Sequence, residues 1–252
     1  MYLATDGGAK VYYDDAGSGA PALLIHGAAG SGRAFDALAP LLAERFRVIR
    51  IDLRGLGRSD RVDAVTPTAW CDDVLRLLDH LDIPQVHLAG CSLGARIAGR
   101  IALGHRARVV TLTVDAPLVA VDASADSQLN TRFTDLDHPA AEDLARWRRF
   151  HGDDWRAAVS FYGRARGDAG LQEYLTLRPH LPVLDLPTLI TRGDLDDDVH
   201  PLAHAIEWHR AQPSSWLCIG PGTRFSLMQQ RPEQFASVFT AFIGTFAPSR
   251  VQ

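Results

Sequence analysis

The stretch QVHLAGCSLGARIAGR, residues 85–100, changes its hydrophobic period at a single serine. Before it, the apolar run VHLA has the length and composition of a buried strand; after it, Leu93 to Leu103 carries a helical pattern. Between them GCSLG, Gly90 to Gly94, fits G-x-S-x-G, the pattern that puts a serine on a sharp strand-to-helix turn. Glycines on both sides of Ser92 leave space for that turn and for the close helix–strand approach it demands. Ser92 is therefore the candidate nucleophile. Cys91, its neighbour, points into the core if the turn presents Ser92 alone.

Outward from this turn the chain keeps alternating. The runs ALLIHG, RVIRIDL, QVHLAG, RVVTLTVDA, PTLITRG and SWLCIG read as strands, and helical patterns cover Phe35 to Phe46, Thr66 to Leu81, Leu202 to Arg210 and Pro232 to Phe246. Thr66 reads as an N-cap, with Pro67 at the first helical position. Such alternation argues for a parallel sheet covered by helices. From Pro117 to Leu186 the strand signal disappears, and patches such as AEDLARWRRF and DWRAAVSFYGRA read as a helical insertion.

At 252 residues and 46% hydrophobic, the chain has enough apolar material for a sizeable core. Its net charge of -4 gives no broad basic field to recruit nucleic acid or an anionic membrane, so a small-molecule partner is expected. No apolar run approaches the roughly 20 residues of a bilayer span, and the N-terminus lacks a basic segment followed by an apolar one, so a cytoplasmic location is expected. Cys71, Cys91 and Cys218 are widely spaced and suggest neither a disulfide framework nor a zinc site. Neither a metal nor a cofactor is expected.

Three further stretches give the resemblance. HGAAG (residues 26–30), DLRGLGRSD (52–60) and GDLDDDVHP (193–201), together with GCSLG, resemble the α/β-hydrolase superfamily in order and spacing, over nearly the whole chain except the insertion. The resemblance implies an α/β fold with a mostly parallel sheet of about eight strands and helices on both faces. It divides the chain into a core of residues 1–116 and 187–252 and a helical lid of residues 117–186. By position, the backbone N–H groups of Ala28 and Leu93 would form the oxyanion hole, and His26 would shape the loop around it. For the acid, counting on from the strand's glycine selects Asp196, whereas counting back from the following proline selects Asp197; Asp196 is preferred, with Asp197 and Asp115 in reserve.

The resemblance fails at the base. In CIGPGTRFSLMQQRPEQF the family's histidine position falls on Arg224. A guanidinium with a pKa above about 12 offers no lone pair to take a serine proton at neutral pH. It does offer an anchor for an acidic group, and a pocket-facing Arg224 held by Asp196 or Asp197 is the expectation. The leading expectation is an enzyme with an incomplete triad of Ser92, Asp196 and Arg224 that acts on a small apolar or acidic molecule by oxyanion-stabilised lyase, cyclase or decarboxylase-like chemistry. The alternatives are a serine esterase with a displaced base, for which His200 is the best candidate and His26 a poorer one, and a non-catalytic ligand-binding member. Trp147, Trp155, Phe161 and Tyr162 in the insertion imply an apolar pocket, while substrate identity and oligomeric state stay open.

Overall fold

In the computed structural model, which describes residues 1–121, 123–195, 197 and 199–246, the strands are β1 (Tyr2–Ala4), β2 (Lys10–Ala16), β3 (Ala20–Ile25), β4 (Phe46–Ile51), β5 (Val86–Cys91), β6 (Val109–Asp115), β7 (Thr188–Gly193) and β8 (Trp216–Gly220). They form one eight-stranded sheet in the order β1-β2-β4-β3-β5-β6-β7-β8. The β1–β2 and β2–β4 pairings are antiparallel and every later pairing is parallel. The N-terminal hairpin of β1 and β2 was not among the apolar runs, because its alternating residues bury only one face: Val11 and Tyr13 are buried, and their neighbours Lys10, Tyr12 and Asp14 are not.

The helices are α1 (Leu38–Ala43), α2 (Ala69–His80), α3 (Leu93–Gly104), α4 (Ala123–Thr134), α5 (Ala141–His151), α6 (Trp155–Arg166), α7 (Ala169–Leu175), α8 (Leu202–Ala211), α9 (Leu227–Gln230) and α10 (Pro232–Phe246). They cover both faces of the sheet. Along β3 the period of two sends Leu23 and Ile25 into a core shared with α2, α3 and α8, and Ala22 and Leu24 into a second core shared with α1 and α10. The expected helix from Phe35 is shorter: a 3-10 turn at Gly32–Phe35 precedes α1. Thr66 and Pro67 likewise lie in a turn before α2, and Thr68 holds the N-cap position while its hydroxyl donates to Asp72 rather than capping the helix.

Between β6 and β7 the described residues form helices α4 to α7 and no strand. His151 ties this segment to the loops after β3 and β4. Its Nδ1 accepts from the Gly57 N–H at 2.9 Å and its Nε2 lies 3.0 Å from the Ala29 carbonyl. Burial pulls the imidazole down to about 4, so it serves as a neutral link.

Sheet order reverses beside β3. The chain runs from β3 outward to β4 and then returns to place β5 on the other side of β3. The loops after β3 and β5 therefore diverge from neighbouring strands at their carboxyl ends, where open α/β sheets form crevices. Close packing at this point depends on two glycines. A Cβ at Gly90 would lie 2.1 Å from the Gly94 carbonyl oxygen, and one at Gly94 would lie 2.1 Å from the Ile25 carbonyl oxygen. Neither carbonyl can swing aside without breaking the strand–helix contact. Replacing Gly94 with alanine is thus expected to lower unfolding free energy by about 2 kcal/mol or more, whereas Gly104→Ala, which meets nothing within 4 Å, is expected to be neutral or mildly stabilising. Chemical denaturation of the two variants checks this.

Candidate active site

Ser92 occupies the turn between β5 and α3 with φ 55° and ψ -112°, a conformation rarely adopted by a residue with a side chain. Its N–H donates to the Asp115 carbonyl at 2.9 Å, and its own carbonyl accepts from Ala95 and Arg96 at 3.0 and 3.2 Å. The backbone is held from both sides. The side chain consequently projects away from the sheet into a cavity of about 90 Å³.

The loop after β3 lies against it, close enough that a Cβ at Gly27 would sit 3.4 Å from Ser92 Cβ. Ala28 and Leu93 line the same cavity, and among the described residues neither backbone N–H is engaged by another protein acceptor. The loop is kept open by His26, whose Nδ1 lies 2.8 Å from the Gly27 carbonyl and whose Nε2 accepts from Leu53 N–H at 3.0 Å. Both ring nitrogens are thus occupied in shaping the loop.

The imidazole that reaches the serine is that of His200. Its Nε2 lies 2.8 Å from Ser92 Oγ, and its Nδ1 lies 3.3 Å from Asp197 Oδ1. The same Asp197 oxygen accepts the backbone N–H groups of Val199 and His200 at 3.0 and 2.7 Å, so one carboxylate folds the loop and faces the ring it presents. Arg192, at the end of β7 and almost completely buried, clamps the other side: its Nε and Nη2 donate to the His200 carbonyl at 2.9 and 2.5 Å, and its Nη1 donates to the Arg224 carbonyl at 2.5 Å. Phe225 closes over the imidazole with 4.5 Å between ring centroids.

Burial lowers the His200 pKa below its ordinary value, against the raising effect of the Asp197 hydrogen bond and charge. Burial pushes Asp197 the opposite way, but hydrogen bonds and charge from His200 outweigh it and hold the carboxyl at about 2. At neutral pH the pair is an ionised carboxylate beside a neutral imidazole.

Several sequence expectations need correction. Arg224 is exposed and is not among the cavity-lining residues; its neighbour Phe225 takes the place on the wall. The preferred acid, Asp196, lies outside the described residues, and it is Asp197 that meets His200. Asp115 is fully buried and committed elsewhere: its carboxylate accepts from Thr191 Oγ1 at 2.7 Å, from Leu227 N–H at 3.0 Å and from the Ser226 hydroxyl. It fastens the loop after β8 to the sheet. Cys91 is buried, with its thiol pKa raised well above the ordinary value by desolvation, and gives no competing nucleophile.

Of Trp147, Trp155, Phe161 and Tyr162, only Tyr162 lines the cavity, where it is joined by Phe133 and Phe150 of the same insertion. Trp147 and Trp155 stack on each other inside the helical segment, with centroids 5.7 Å apart, and Phe161 packs over Gly55. The wall also holds residues that sequence reasoning passed over: Arg96, Arg132, Arg146 and Arg166. Among the described residues no group of three His, Cys, Asp or Glu could hold a metal ion, and no helix is long and apolar enough to cross a membrane.

Comparison with known proteins agrees with this architecture. The sequence profile of the Alpha/beta hydrolase family matches residues 22–238. A pimeloyl-[acyl-carrier protein] methyl ester esterase from Aeromonas hydrophila is 28% identical over 90% of this chain and 97% of that protein. A 2-hydroxymuconate semialdehyde hydrolase from Pseudomonas sp. is 37% identical over 42% of this chain and 40% of its own length. Among solved structures, a thermophilic esterase from Thermogutta terrifontis superposes with a TM-score of 0.76 at 22% identity, covering 98% of this chain and 99% of that one. The enol-lactonase of Burkholderia xenovorans gives 0.74 at 22% identity, covering 97% and 100%.

The environment of His200 generates a titration prediction. Followed by NMR, its imidazole should protonate at a midpoint below the ordinary value of about 6.5. Because Asp197 raises that midpoint, Asp197→Asn should lower it further, and an upward shift in the variant would contradict the arrangement.

Proposed function

The chain belongs to the alpha/beta hydrolase family, and on that premise we propose that it is a serine hydrolase cleaving an ester-type bond with Ser92 as nucleophile, His200 as base and Asp197 as the orienting acid. The observation carrying this reading is the 2.8 Å approach of His200 Nε2 to Ser92 Oγ. A base must first be within hydrogen-bond reach of the proton it takes, and this one is.

With Nδ1 protonated and facing Asp197, Nε2 is free to accept the Ser92 proton as Oγ attacks the carbonyl carbon. The carbonyl π electrons move to its oxygen, where the N–H groups of Ala28 and Leu93 stabilise the developing charge; backbone donors suit this task because they are fixed before the charge appears. Collapse of the tetrahedral species breaks the bond to the leaving group, which departs with the proton from His200. Water then repeats the sequence on the acyl-enzyme, giving the acid and restoring Ser92. Helices α4 to α7 act as the lid that keeps bulk water from this cavity.

A neutral resting imidazole supports the assignment, since a histidine already protonated cannot serve as base. Non-hydrolytic chemistry built on a pocket-facing Arg224 loses its ground once that side chain is exposed. A fluorophosphonate probe should label Ser92, and Ser92→Ala should abolish labelling. His200→Ala should lower hydrolysis of p-nitrophenyl acetate by at least about a thousandfold. Arg224→Ala and Arg224→His should both stay within about threefold of the parent. Full activity in the His200 variant would overturn the assignment.

A further inference from the structure

The cavity that receives Ser92 also collects positive charge, in a protein whose net charge is -4. Arg96, Arg132, Arg146 and Arg166 all line it. Arg132 and Arg146 share one carboxylate, Asp143, whose Oδ1 accepts from both. Arg166 is buried and donates through Nη2 to Asp126 Oδ1 at 2.7 Å, a carboxylate that is itself 58% exposed.

Arg96 is the most telling. It lies one helical turn beyond Ser92 on α3, its side chain is buried, and its donors meet only neutral acceptors: the Leu175 carbonyl at 2.9 Å, Gln172 Oε1 at 3.0 Å and the Gln172 carbonyl at 3.2 Å. Among the described residues no carboxylate bonds to it. Four guanidiniums in one low-dielectric cavity, with Asp126 and Asp143 as their carboxylate partners, leave an excess of positive charge that is costly to desolvate unless an anion completes it.

We propose that the substrate carries a carboxylate within a few carbons of the scissile carbonyl, and that Arg96 and Arg166 bind it. This deepens the serine-hydrolase reading and rests on it. A guanidinium has five N–H donors arranged as a planar fork that matches a carboxylate. The contacts of Arg96 leave some of these open, and Nε and Nη1 of Arg166 make no hydrogen bond among the described residues. A purely structural role accounts for the ties from Arg96 to α7, yet neutral donors would make those ties without gathering like charges around one cavity. Burial draws the Arg96 pKa down to about 10, so the group remains a cation at neutral pH.

The test compares kcat/KM for the monomethyl esters of butanedioic, pentanedioic and hexanedioic acids with that for methyl butanoate, pentanoate and hexanoate, and for γ-acetoxybutanoate with that for butyl acetate. Each pair exchanges a terminal methyl for a carboxylate. At least one acidic ester should be preferred by about tenfold or more, and Arg166→Gln should collapse that ratio. Arg166 is the first choice because its one carboxylate partner is largely exposed, whereas Arg96 also ties α3 to α7; Arg96→Gln is the second variant. Equal rates within every pair, or a preference surviving both substitutions, would overturn the inference. If no ester of either kind is cleaved, the hydrolase reading fails separately, and calorimetry with hexanoate and the neutral hexanamide decides the anion site. Binding of the carboxylate alone, weakened about tenfold in Arg166→Gln, upholds the site, and equal binding of both ligands removes it.

Discussion

A single strained residue organises the cavity. Ser92 is held at φ 55°, and its neighbours have to make that conformation the lowest one available. A backbone in such a region costs about 1–3 kcal/mol, so it persists only when over-determined. Here the Ser92 N–H is fixed to the Asp115 carbonyl, its carbonyl is capped by the first turn of α3, and Gly94 lets that turn press against the end of β3. Relaxing the turn would break all three restraints together. The same geometry directs the hydroxyl and the start of α3 toward one point, and seats the loop carrying Ala28 beside it.

The imidazole needs a position in space, and no particular place in the chain is required for it. In this protein it comes from the loop after β7, three residues beyond the carboxylate that orients it. That local arrangement lets Asp197 fold its own loop, since backbone N–H groups and ring converge on one oxygen. Arg192 holds the loop from beneath through the His200 carbonyl and reaches across to the Arg224 carbonyl, linking the loops after β7 and β8. With the imidazole that faces Ser92 supplied earlier in the chain, the loop after β8 is freed for packing: Asp115 anchors Ser226 and Leu227, and Phe225 covers the imidazole.

What the sequence made legible was what depends on local pattern. Ser92, the flanking glycines, the β3 loop and the parallel sheet all follow from residue types at fixed short spacing, and the structure has them in those places. The imidazole that meets Ser92 did not follow, because chain order relative to the last strand pointed to Arg224, and the reach of His200 depends on the path of an irregular loop. His200 was visible as a candidate only through its nearness to the acidic cluster. The choice between Asp196 and Asp197 turned on a single-residue offset that two landmarks resolved differently. The cavity arginines were hidden for another reason: on helices such as AEDLARWRRF a charged residue reads as solvated surface, and only the packing of α4 to α6 on one another, around the Ser92 cavity, turns Arg132, Arg146 and Arg166 inward.

Those arginines bear on the imidazole as well as on the ligand. After burial, which is the main cause of the lowered His200 pKa, and against the opposing pull of Asp197, positive charge on Arg192 and Arg132 lowers it further. In the free protein this favours the neutral imidazole. The proposed mechanism then requires the opposite, because accepting the Ser92 proton would create an imidazolium in the same positive field. A carboxylate bound among the guanidiniums would cancel part of that field at the moment of need, and so raise the proton affinity of His200 only when substrate is present. On the proposed reading, the charge that selects the substrate is also the charge that adjusts the base to it, which links substrate recognition and proton transfer through electrostatics and requires no movement of the backbone.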